Sequence, residues 1–335
     1  MNIQVLEGSP YSTPLVREWE ELLSAARFRN PFLTPLWNEI WLGHFGKSLP
    51  AGVILFRDSG GELLAAGAFS NPAGGGGSQK GLALLGSTDV CDYRDIVIAP
   101  GKEEEVFSAL ARFFREGPWE HLELNGISEF SPTFQLLSRQ IHLFGYNVVQ
   151  EAEEVALYLD LPQTWEAFLE KLSGKDRHEL RRKIRRLENE ATLEMRRVED
   201  GSSLGTDMEI FFDLHRKSRK DKAEFMTPEM EAFFREIAAR FQEKGWLSLS
   251  FLKLAGKEAA TFFSFDFAGT EYVYNSGYDP DFARFSPGIV LAAYCIRQAI
   301  EKGKAGFNFL RGREDYKYHL GGREEKIYRI RVSKT

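Results

Sequence analysis

The sequence has few of the residues that hold metal ions or form disulfide bonds. Its 335 residues include two cysteines, Cys91 and Cys295, and six scattered histidines. Two distant cysteines do not make a disulfide framework, and this usage is typical of a protein in a reducing compartment. The histidines form no His-Glu-x-x-His pattern and there is no close cysteine pair. We therefore expect no metal site.

The sequence also lacks an excess of positive charge and a long apolar run. The formal net charge is -6 and the isoelectric point is about 5.7, whereas a large nucleic-acid surface normally requires a basic domain. The longest apolar run, Ile289 to Ile296, is far shorter than the roughly 20 residues that span a bilayer. Residues 1–8 lack the basic and apolar regions of a signal peptide. We expect a cytoplasmic protein with no transmembrane segment and no stable nucleic-acid partner.

A run of glycines, Gly74 to Gly77, is followed by Ser78 and Lys80 and superficially resembles a phosphate-binding loop. It lacks the Gly-Lys-Ser/Thr ending, and a strand pattern rather than a helix pattern follows it. We interpret the run as a flexible connection.

Alternating strand and helix patterns account for most of the chain. The composition is 43% hydrophobic and 27% charged, which allows ordinary globular cores, and the length suggests two domains. Both halves contain a hairpin or meander, then helices and further strands, without a repeat at the level of residues. We therefore predict an α/β protein with mixed sheets and two domains, residues 1–155 and 156–335.

A strongly basic helix pattern follows Gly174. Its apolar stripe consists of Leu180, Ile184 and Leu187. Its cations are Arg177, Arg181, Arg182, Lys183, Arg185 and Arg186. Such a helix is either a charged outer face or a surface that contacts phosphates or an acidic ligand. The sequence leaves both interpretations open.

A polar cluster near the C-terminus follows a short apolar alternation. Residues 307–310 are typical of the end of a buried strand, which breaks at Gly312 and is followed by Tyr316 and Lys317. In α/β proteins, reactive side chains often lie where a strand ends. The alternative is a solvated loop between two strands.

Three segments carry a resemblance to a known family. They are the basic helix from Arg177 to Glu190, the helix start Ser286-Pro287-Gly288, and Gly312 followed by Tyr316-Lys317. With these segments the second half resembles the GNAT-fold acyltransferases of the CelD/BcsL type. That family is distantly related to the FemABX aminoacyltransferases, and a weaker similarity extends into the first half.

The resemblance implies two tandem GNAT-like domains packed with a cleft between them. The first would be degenerate and lie on the acceptor side, and the second would bind the acyl donor and carry out catalysis. The implied reaction moves an acyl group, expected to be acetyl, from acyl-CoA to an amine or hydroxyl. The implied acceptor is a sugar, a sugar nucleotide or another envelope or polysaccharide precursor. Two alternatives stay open: a FemABX-like transferase that uses aminoacyl-tRNA, and an inactive GNAT scaffold that binds a ligand or a partner.

The resemblance also implies where acyl-CoA would bind. Backbone N–H groups at the start of the helix that follows Ser286 would hold the pyrophosphate. Two neighbouring strands, predicted at Phe262–Phe267 and Tyr272–Ser276, would be parallel and would part to hold the pantetheine arm. The residues assigned to the donor on this basis are Phe265, Ser276, Ser286, Gly288 and Ile289.

Catalytic roles follow from the same resemblance. Lys317 is predicted to stabilise charge at the thioester carbonyl, and Tyr316 or Tyr278 to protonate the leaving thiolate. On this interpretation Lys317→Met abolishes transfer and changes the melting temperature by a few degrees at most. The residues expected on the acceptor side are Asp92, Tyr93, Arg94 and Arg311.

The sequence departs from the family pattern in two places. The segment from Arg284 to Ile289 keeps only part of the usual GNAT pyrophosphate loop. Asn308 stands where relatives carry an acidic residue, so a general base at that position is not expected. Both departures keep the inactive scaffold open as an alternative.

Overall fold

The computed structural model describes residues 1–46, 49–71, 81–142, 144–190 and 192–334. The chain forms two compact units, Met1–Val155 together with Glu325–Thr335, and Ala156–Glu324. The C-terminal segment therefore belongs to the first unit and not to the second domain, where the sequence places it. The glycine run from Gly74 to Lys80 lies outside the described residues.

Strands and helices alternate along the chain. The strands are β1 (Asn2–Glu7), β2 (Ala51–Arg57), β3 (Leu63–Ser70), β4 (Gly81–Leu84), β5 (Val97–Ile98), β6 (His121–Ser128), β7 (Asn147–Asp160), β8 (Leu193–Arg197), β9 (Leu247–Leu254), β10 (Lys257–Phe267), β11 (Thr270–Tyr278), β12 (Gly306–Arg311) and β13 (Arg323–Ser333). The helices are α1 (Thr13–Ala25), α2 (Pro35–Phe45), α3 (Glu103–Glu116), α4 (Pro132–His142), α5 (Trp165–Lys171), α6 (Gly174–Glu190), α7 (Leu204–Ser218), α8 (Lys220–Phe225), α9 (Pro228–Glu243), α10 (Pro287–Glu301) and α11 (Asp315–His319).

The first unit is a mixed sheet with the strand order β1-β2-β3-β4-β6-β13, and β5 pairs with β3. β4 and β6 are parallel, whereas β13 runs antiparallel to β6 from Ile327↔Ser128 to Ser333↔His121. The core packs α3 against this sheet, with Phe107 and Leu110 of the helix and Leu122 and Leu124 of β6 buried. Because β13 pairs with β6 in this sheet, the first unit needs the C-terminal segment to complete it.

The second unit has the strand order β7-β12-β11-β10-β9-β8. Its described strand pairs are antiparallel except for β11 and β12, which are parallel. The α/β class and the mixed sheets predicted from the sequence are thus confirmed.

Several helices begin where Thr or Ser precedes proline. The Thr34 and Thr227 hydroxyls accept hydrogen bonds from the N–H groups three residues later, and proline occupies the first helical position in each case. The chain from Leu204 to Phe225 forms two helices, α7 and α8, because Arg219 is extended at their junction. This break places α8 beside β11, where it contributes to the site described below.

A buried carboxylate fixes the start of β11. Glu271 is fully buried, and it accepts hydrogen bonds from Arg197 at 2.9 Å, from Lys304 at 2.6 Å and from the Ser248 hydroxyl. Lys304 is also buried and lies just before β12. An ion pair therefore ties the start of β11 to the start of β12, beside the backbone pair Glu271↔Phe307.

We expect Glu271→Ala to lower the free energy of unfolding by about 3–5 kcal/mol, because it takes a carboxylate from the buried Lys304 and from the half-buried Arg197. Urea unfolding followed by circular dichroism measures this. The control is Glu190→Ala, which removes an exposed carboxylate beside Arg186 and should cost less than about 0.5 kcal/mol. Equal losses in the two variants would show that the ion pair does not hold the strands.

Candidate active site

The parallel strands β11 and β12 part after three residue pairs, from Thr270↔Gly306 to Tyr272↔Asn308. Each strand has one extra residue just beyond the last shared pair. Tyr274 is the extra residue of β11 against β10, and Phe309 is the extra residue of β12 against β7. Because a bulge bends the strand that carries it, the two bulges turn the strands away from their common register.

The sequence predicted the wrong pair of strands to part. Residues 262–267 and 272–276 belong to β10 and β11, which are antiparallel and bonded from Ala260↔Tyr278 to Phe267↔Thr270. The connection Ala268-Gly269 is far too short for the crossover that two parallel strands require. The parallel partner of β11 is β12, which comes after the long helix α10.

Asn308 shapes the backbone where β12 departs. Its Oδ1 accepts a hydrogen bond of 2.7 Å from the N–H of Leu310, across the bulge at Phe309. Leu310 has a φ of 57°, a left-handed conformation that costs a non-glycine residue roughly 1 kcal/mol or more. The Asn308 side chain thus stabilises the backbone of the bulge, which is a structural role for a position where the resemblance implies an acidic residue.

A cavity of about 320 Å³ lies where the strands have parted. Residues at the end of β11 form one side, and residues that follow β12 form another. Six predicted site residues line it: Ser276, Tyr278, Ser286, Gly288, Ile289 and Tyr316. The lining residues that the sequence analysis missed include Ser218, Arg219, Lys222, Phe262 and Glu314.

The N-terminus of α10 opens onto this cavity. Ser286 precedes the helix in a left-handed conformation, its side chain makes no capping bond, and the first turn contains no acidic residue. The Lys183 ammonium lies 3.3 Å from the Ser286 hydroxyl. A Cβ built on Gly288 would meet nothing within 4 Å, so the space above this glycine is open. This end of the helix can accept an anion.

Lys222 of α8 lines the cavity together with a second cation, Arg219. Its Nζ donates to the carbonyl oxygen of Ser276 and lies 3.3 Å from the Ser276 hydroxyl. Burial, together with the nearby charge of Arg219, lowers the pKa of Lys222 to about 8. At neutral to slightly alkaline pH this amine therefore exists in both protonation states.

Two further groups near Lys222 keep their protonation state at neutral pH. His215 is buried, its Nε2 lies 2.9 Å from Asn275 Oδ1, and burial beside Lys222 lowers the pKa of His215 to about 3. Burial and the charge of Glu314 raise the pKa of Tyr316. His215 is therefore neutral, and the Tyr316 hydroxyl remains a proton donor.

Close packing brings α7 to the cavity wall. A Cβ on Gly277 would lie 2.4 Å from the backbone nitrogen of His215. Glycine at this position lets the backbone of α7 rest directly on β11, which places Ser218, Arg219 and Lys222 at the cavity.

Lys317 is buried and does not line the cavity. Its ammonium lies 2.7 Å from the carbonyl oxygen of Arg311, 3.2 Å from that of Gly312 and 3.4 Å from that of Leu310. It also pairs with Glu314 at 2.8 Å. These partners hold the end of β12 and orient Glu314, which does line the cavity.

Two other predicted residues lie apart from the cavity lining. Phe265 is fully buried, with its ring 4.9 Å from Phe241 and 5.1 Å from Tyr274. Side chains alternate along a strand, so Phe262 faces the cavity and Phe265 faces the core on the other side. Arg311 is half-buried, and its carbonyl holds Lys317.

The predicted acceptor residues of the first unit have structural partners there. The Tyr93 hydroxyl donates to Glu325 at 2.7 Å, and Arg94 donates to the Gly86 carbonyl at 2.8 Å. Asp92 is half-buried beside them. Arg94 lines a cavity of only about 10 Å³, which has room for about one water molecule. Their role toward an acceptor stays a prediction.

Two features, a metal-binding cluster and a membrane-spanning helix, are absent from the described residues. No group of three or more His, Cys, Asp or Glu side chains among them is arranged to hold a metal ion. No described helix combines the length and the apolar character needed to cross a bilayer.

Comparison with known proteins relates this geometry to a fold. A family model described as an acetyltransferase (GNAT) domain matches residues 174–318. No curated protein matches the chain. The FemX crystal structure has a TM-score of 0.68 at 11% identity, over 98% of this chain and 97% of that one. L-PGS from Bacillus licheniformis has a TM-score of 0.54 at 15% identity, over 94% and 90% of the two chains.

A tandem GNAT protein from the clavulanic acid biosynthesis pathway is similar over the full length. Its TM-score is 0.50 at 10% identity, and the similarity covers 100% of this chain and 99% of that one. Identities this low show a shared fold, whereas the family match rests on the sequence of the second unit. The predicted tandem GNAT fold is confirmed. Residues 174–318 match an acetyltransferase (GNAT) domain, and this match supports the predicted acyltransferase activity.

Proposed function

We propose that this protein transfers an acyl group, expected to be acetyl, from acyl-CoA to an amine or hydroxyl acceptor in the 320 Å³ cavity. The observation that carries the proposal is the composition of that cavity. It combines the anion-accepting start of α10, the parted end of β11, a lysine with a lowered pKa and two tyrosines. Acyl transfer needs an anchor for the donor, a base for the acceptor and a proton for the leaving group.

The residues present fit a CoA donor. The start of α10 offers backbone N–H groups, the positive end of the helix dipole and open space above Gly288, which suits a pyrophosphate. Lys183, beside Ser286, adds a positive charge at the same place. β11 beyond Tyr272 is no longer bonded to β12, so a thioester arm can lie along the end of β11.

We assign the general base to Lys222. Its two hydrogen bonds to Ser276 use two N–H groups, which are all that a neutral amine has. The lone pair then remains to take the proton from the acceptor. The acceptor atom bonds to the acyl carbon, the bond from that carbon to sulfur breaks, and Tyr316 or Tyr278 supplies the proton that the thiolate takes up.

We infer a polar envelope or polysaccharide precursor, such as a sugar or a sugar nucleotide, as the acceptor. This inference rests on the resemblance of the three segments to CelD/BcsL-type enzymes, as does the expectation of a cytoplasmic location. A donor carried on tRNA is the alternative, and salt separates the two, because RNA binding weakens steeply as salt is added. Acetyl-CoA turnover that is nearly independent of salt between 50 and 200 mM would favour the CoA donor.

The first prediction concerns the donor. We expect Gly288→Val to weaken acetyl-CoA binding about tenfold or more while leaving the melting temperature of the free protein unchanged or higher. The side chain would enter space that is open in the protein alone, and valine favours a helix over glycine. Thermal shift and calorimetry with acetyl-CoA measure the two effects.

Gly205→Val is the matched control for this experiment. Gly205 also lies in the first turn of a helix, α7, and a Cβ there likewise meets nothing within 4 Å. Acetyl-CoA should bind to this variant as to the natural protein. Unchanged binding in Gly288→Val would remove the α10 start from the donor site.

The second prediction concerns Lys222. We expect Lys222→Met to lower kcat/KM by about 10²- to 10⁴-fold, the usual contribution of a general base. A base must be neutral to act, so activity should rise with pH through an apparent pKa near 8 in the natural enzyme, and this limb should be absent from the variant. The assay follows release of the CoA thiol with a panel of amino sugars and hydroxyl sugars as acceptors.

Lys220→Met is the control for Lys222→Met. Lys220 lies two positions away in α8, its side chain is 91% exposed, and it contacts only Glu224 among the described charged groups. Its replacement should leave both the rate and the pH profile unchanged. If the activity of Lys222→Met still rises with pH through an apparent pKa near 8, that ionisation belongs to another group.

The third prediction revises the expectation for Lys317. We expect Lys317→Met to lower the melting temperature by several degrees, because buried carbonyl groups lose their donor at a cost of about 1–3 kcal/mol. Activity should fall as well, through the displaced Glu314. The control is Lys171→Met, which changes an exposed lysine of α5. Loss of activity at an unchanged melting temperature would restore Lys317 to a direct role at the thioester.

A further inference from the structure

The cations of α6 fall into two groups with different partners. Arg182 and Lys183 pair with Glu179 at 2.7 and 3.0 Å, and Arg186 pairs with Glu190 at 3.2 Å. These three cations thus share two carboxylates of the same helix. Arg182 and Arg186 of this group belong to the solvated charged face that is one interpretation of the basic helix, whereas Lys183 lies beside Ser286.

The second group is a row formed by Arg177, Arg181 and Arg185. Among the described residues, none of the three pairs with a carboxylate, and the one side-chain hydrogen bond of the row joins Arg185 to the Arg181 carbonyl at 3.3 Å. Residues four apart share one helix face, with a rise of about 6 Å per step. Like charges at this spacing repel each other, and a bound anion would relieve that repulsion.

The arginine row lines a groove of about 560 Å³. Trp165 and Leu169 of α5 and Ile184 of α6 provide its apolar surface. The Trp165 ring is stacked on Phe168, with 5.0 Å between ring centroids and 24° between planes, so its orientation is fixed. The groove therefore combines a flat aromatic surface with a row of guanidinium groups.

This groove is distinct from the 320 Å³ cavity, with which it shares no lining residue. The excess of positive charge is also local. The second unit has as many acidic as basic residues, and the negative charge of the chain lies in the first unit. A general attraction for polyanions is therefore weak, and recognition depends on the arginine row itself.

We propose that the arginine groove binds a nucleoside polyphosphate at a site separate from the acyl donor. Guanidinium groups bind phosphate oxygens in pairs, and three of them along about 12 Å match a short chain of phosphates. The Trp165 ring provides a stacking surface for the base. The inference stands whether or not the 320 Å³ cavity transfers acyl groups.

The experiment uses the full-length protein, isothermal titration calorimetry and two probes, ATP and inorganic tripolyphosphate. We expect Arg181→Gln to weaken the binding of both probes about tenfold or more. Arg182→Gln is the matched control, since it changes the adjacent exposed arginine that pairs with Glu179, and it should change binding by less than twofold. Trp165→Leu should weaken ATP binding and leave tripolyphosphate binding unchanged. Melting temperatures of all variants establish that they fold.

Several results would overturn the proposal. It is wrong if neither probe binds, or if Arg181→Gln and Arg182→Gln bind them equally. It is also wrong if Gly288→Val, rather than Arg181→Gln, abolishes ATP binding, since ATP would then occupy the α10 start. Binding of a single-stranded RNA through these arginines without binding of either probe would identify a nucleic acid, and not a nucleotide, as the ligand.

Discussion

The parting of β11 from β12 is the constraint on which the active site depends. The two strands are held together at one end by Glu271, which joins their starts through Lys304, and they are bent at the other end by the bulges at Tyr274 and Phe309. Parting removes backbone hydrogen bonds and places Leu310 in a left-handed conformation. Those costs are offset by local hydrogen bonds. The Asn308 side chain accepts one from the N–H of Leu310, and the Lys317 ammonium donates to three carbonyl groups.

Three lysines of the second unit show how surroundings decide what a side chain can do. Lys304 is bonded to two carboxylates, Glu271 and Asp266, and stabilises the sheet. Lys317 is bonded to one carboxylate and to backbone carbonyls, which fixes the end of a strand. Lys222 is bonded to the neutral oxygens of Ser276, with no carboxylate among its hydrogen-bond partners. Burial can therefore lower its pKa, and it is the lysine suited to proton transfer.

Much of the fold could be predicted because its signals are local. Hydrophobic periodicity and capping residues located most helices and strands, and the start of α10 was evident from Ser286 and Pro287. The pairing of strands could not be predicted in the same way, because it depends on contacts between residues far apart in the chain. β11 and β12 are separated by a whole helix, so neither their parallel register nor the bulges at Tyr274 and Phe309 left a pattern in the sequence.

The site was predictable to a similar degree. The structure brings predicted residues at the start of a helix or at the end of a strand to the cavity, as with Gly288 and Tyr278. Phe265 lies away from the cavity. The prediction paired its strand with the wrong neighbour and therefore assigned the Phe265 side chain to the wrong face of the sheet. No sequence pattern identified Lys222, because it lies among several other charged residues. Its place at the cavity depends on the helix break at Arg219 and on the close approach of α7 to Gly277.

The lysine identified by resemblance and the lysine that lines the cavity are linked through Glu314. The Glu314 carboxylate acts to raise the pKa of Lys222, and it also pairs with the Lys317 ammonium at 2.8 Å. Burial alone would raise the pKa of Glu314, yet its pairing with Lys317 lowers that pKa and keeps it ionised. The positive charge of Lys317 also acts directly to lower the pKa of Lys222. Lys317 thus influences the protonation of Lys222 without entering the cavity, because its positive charge opposes the effect of the Glu314 carboxylate on the pKa of Lys222.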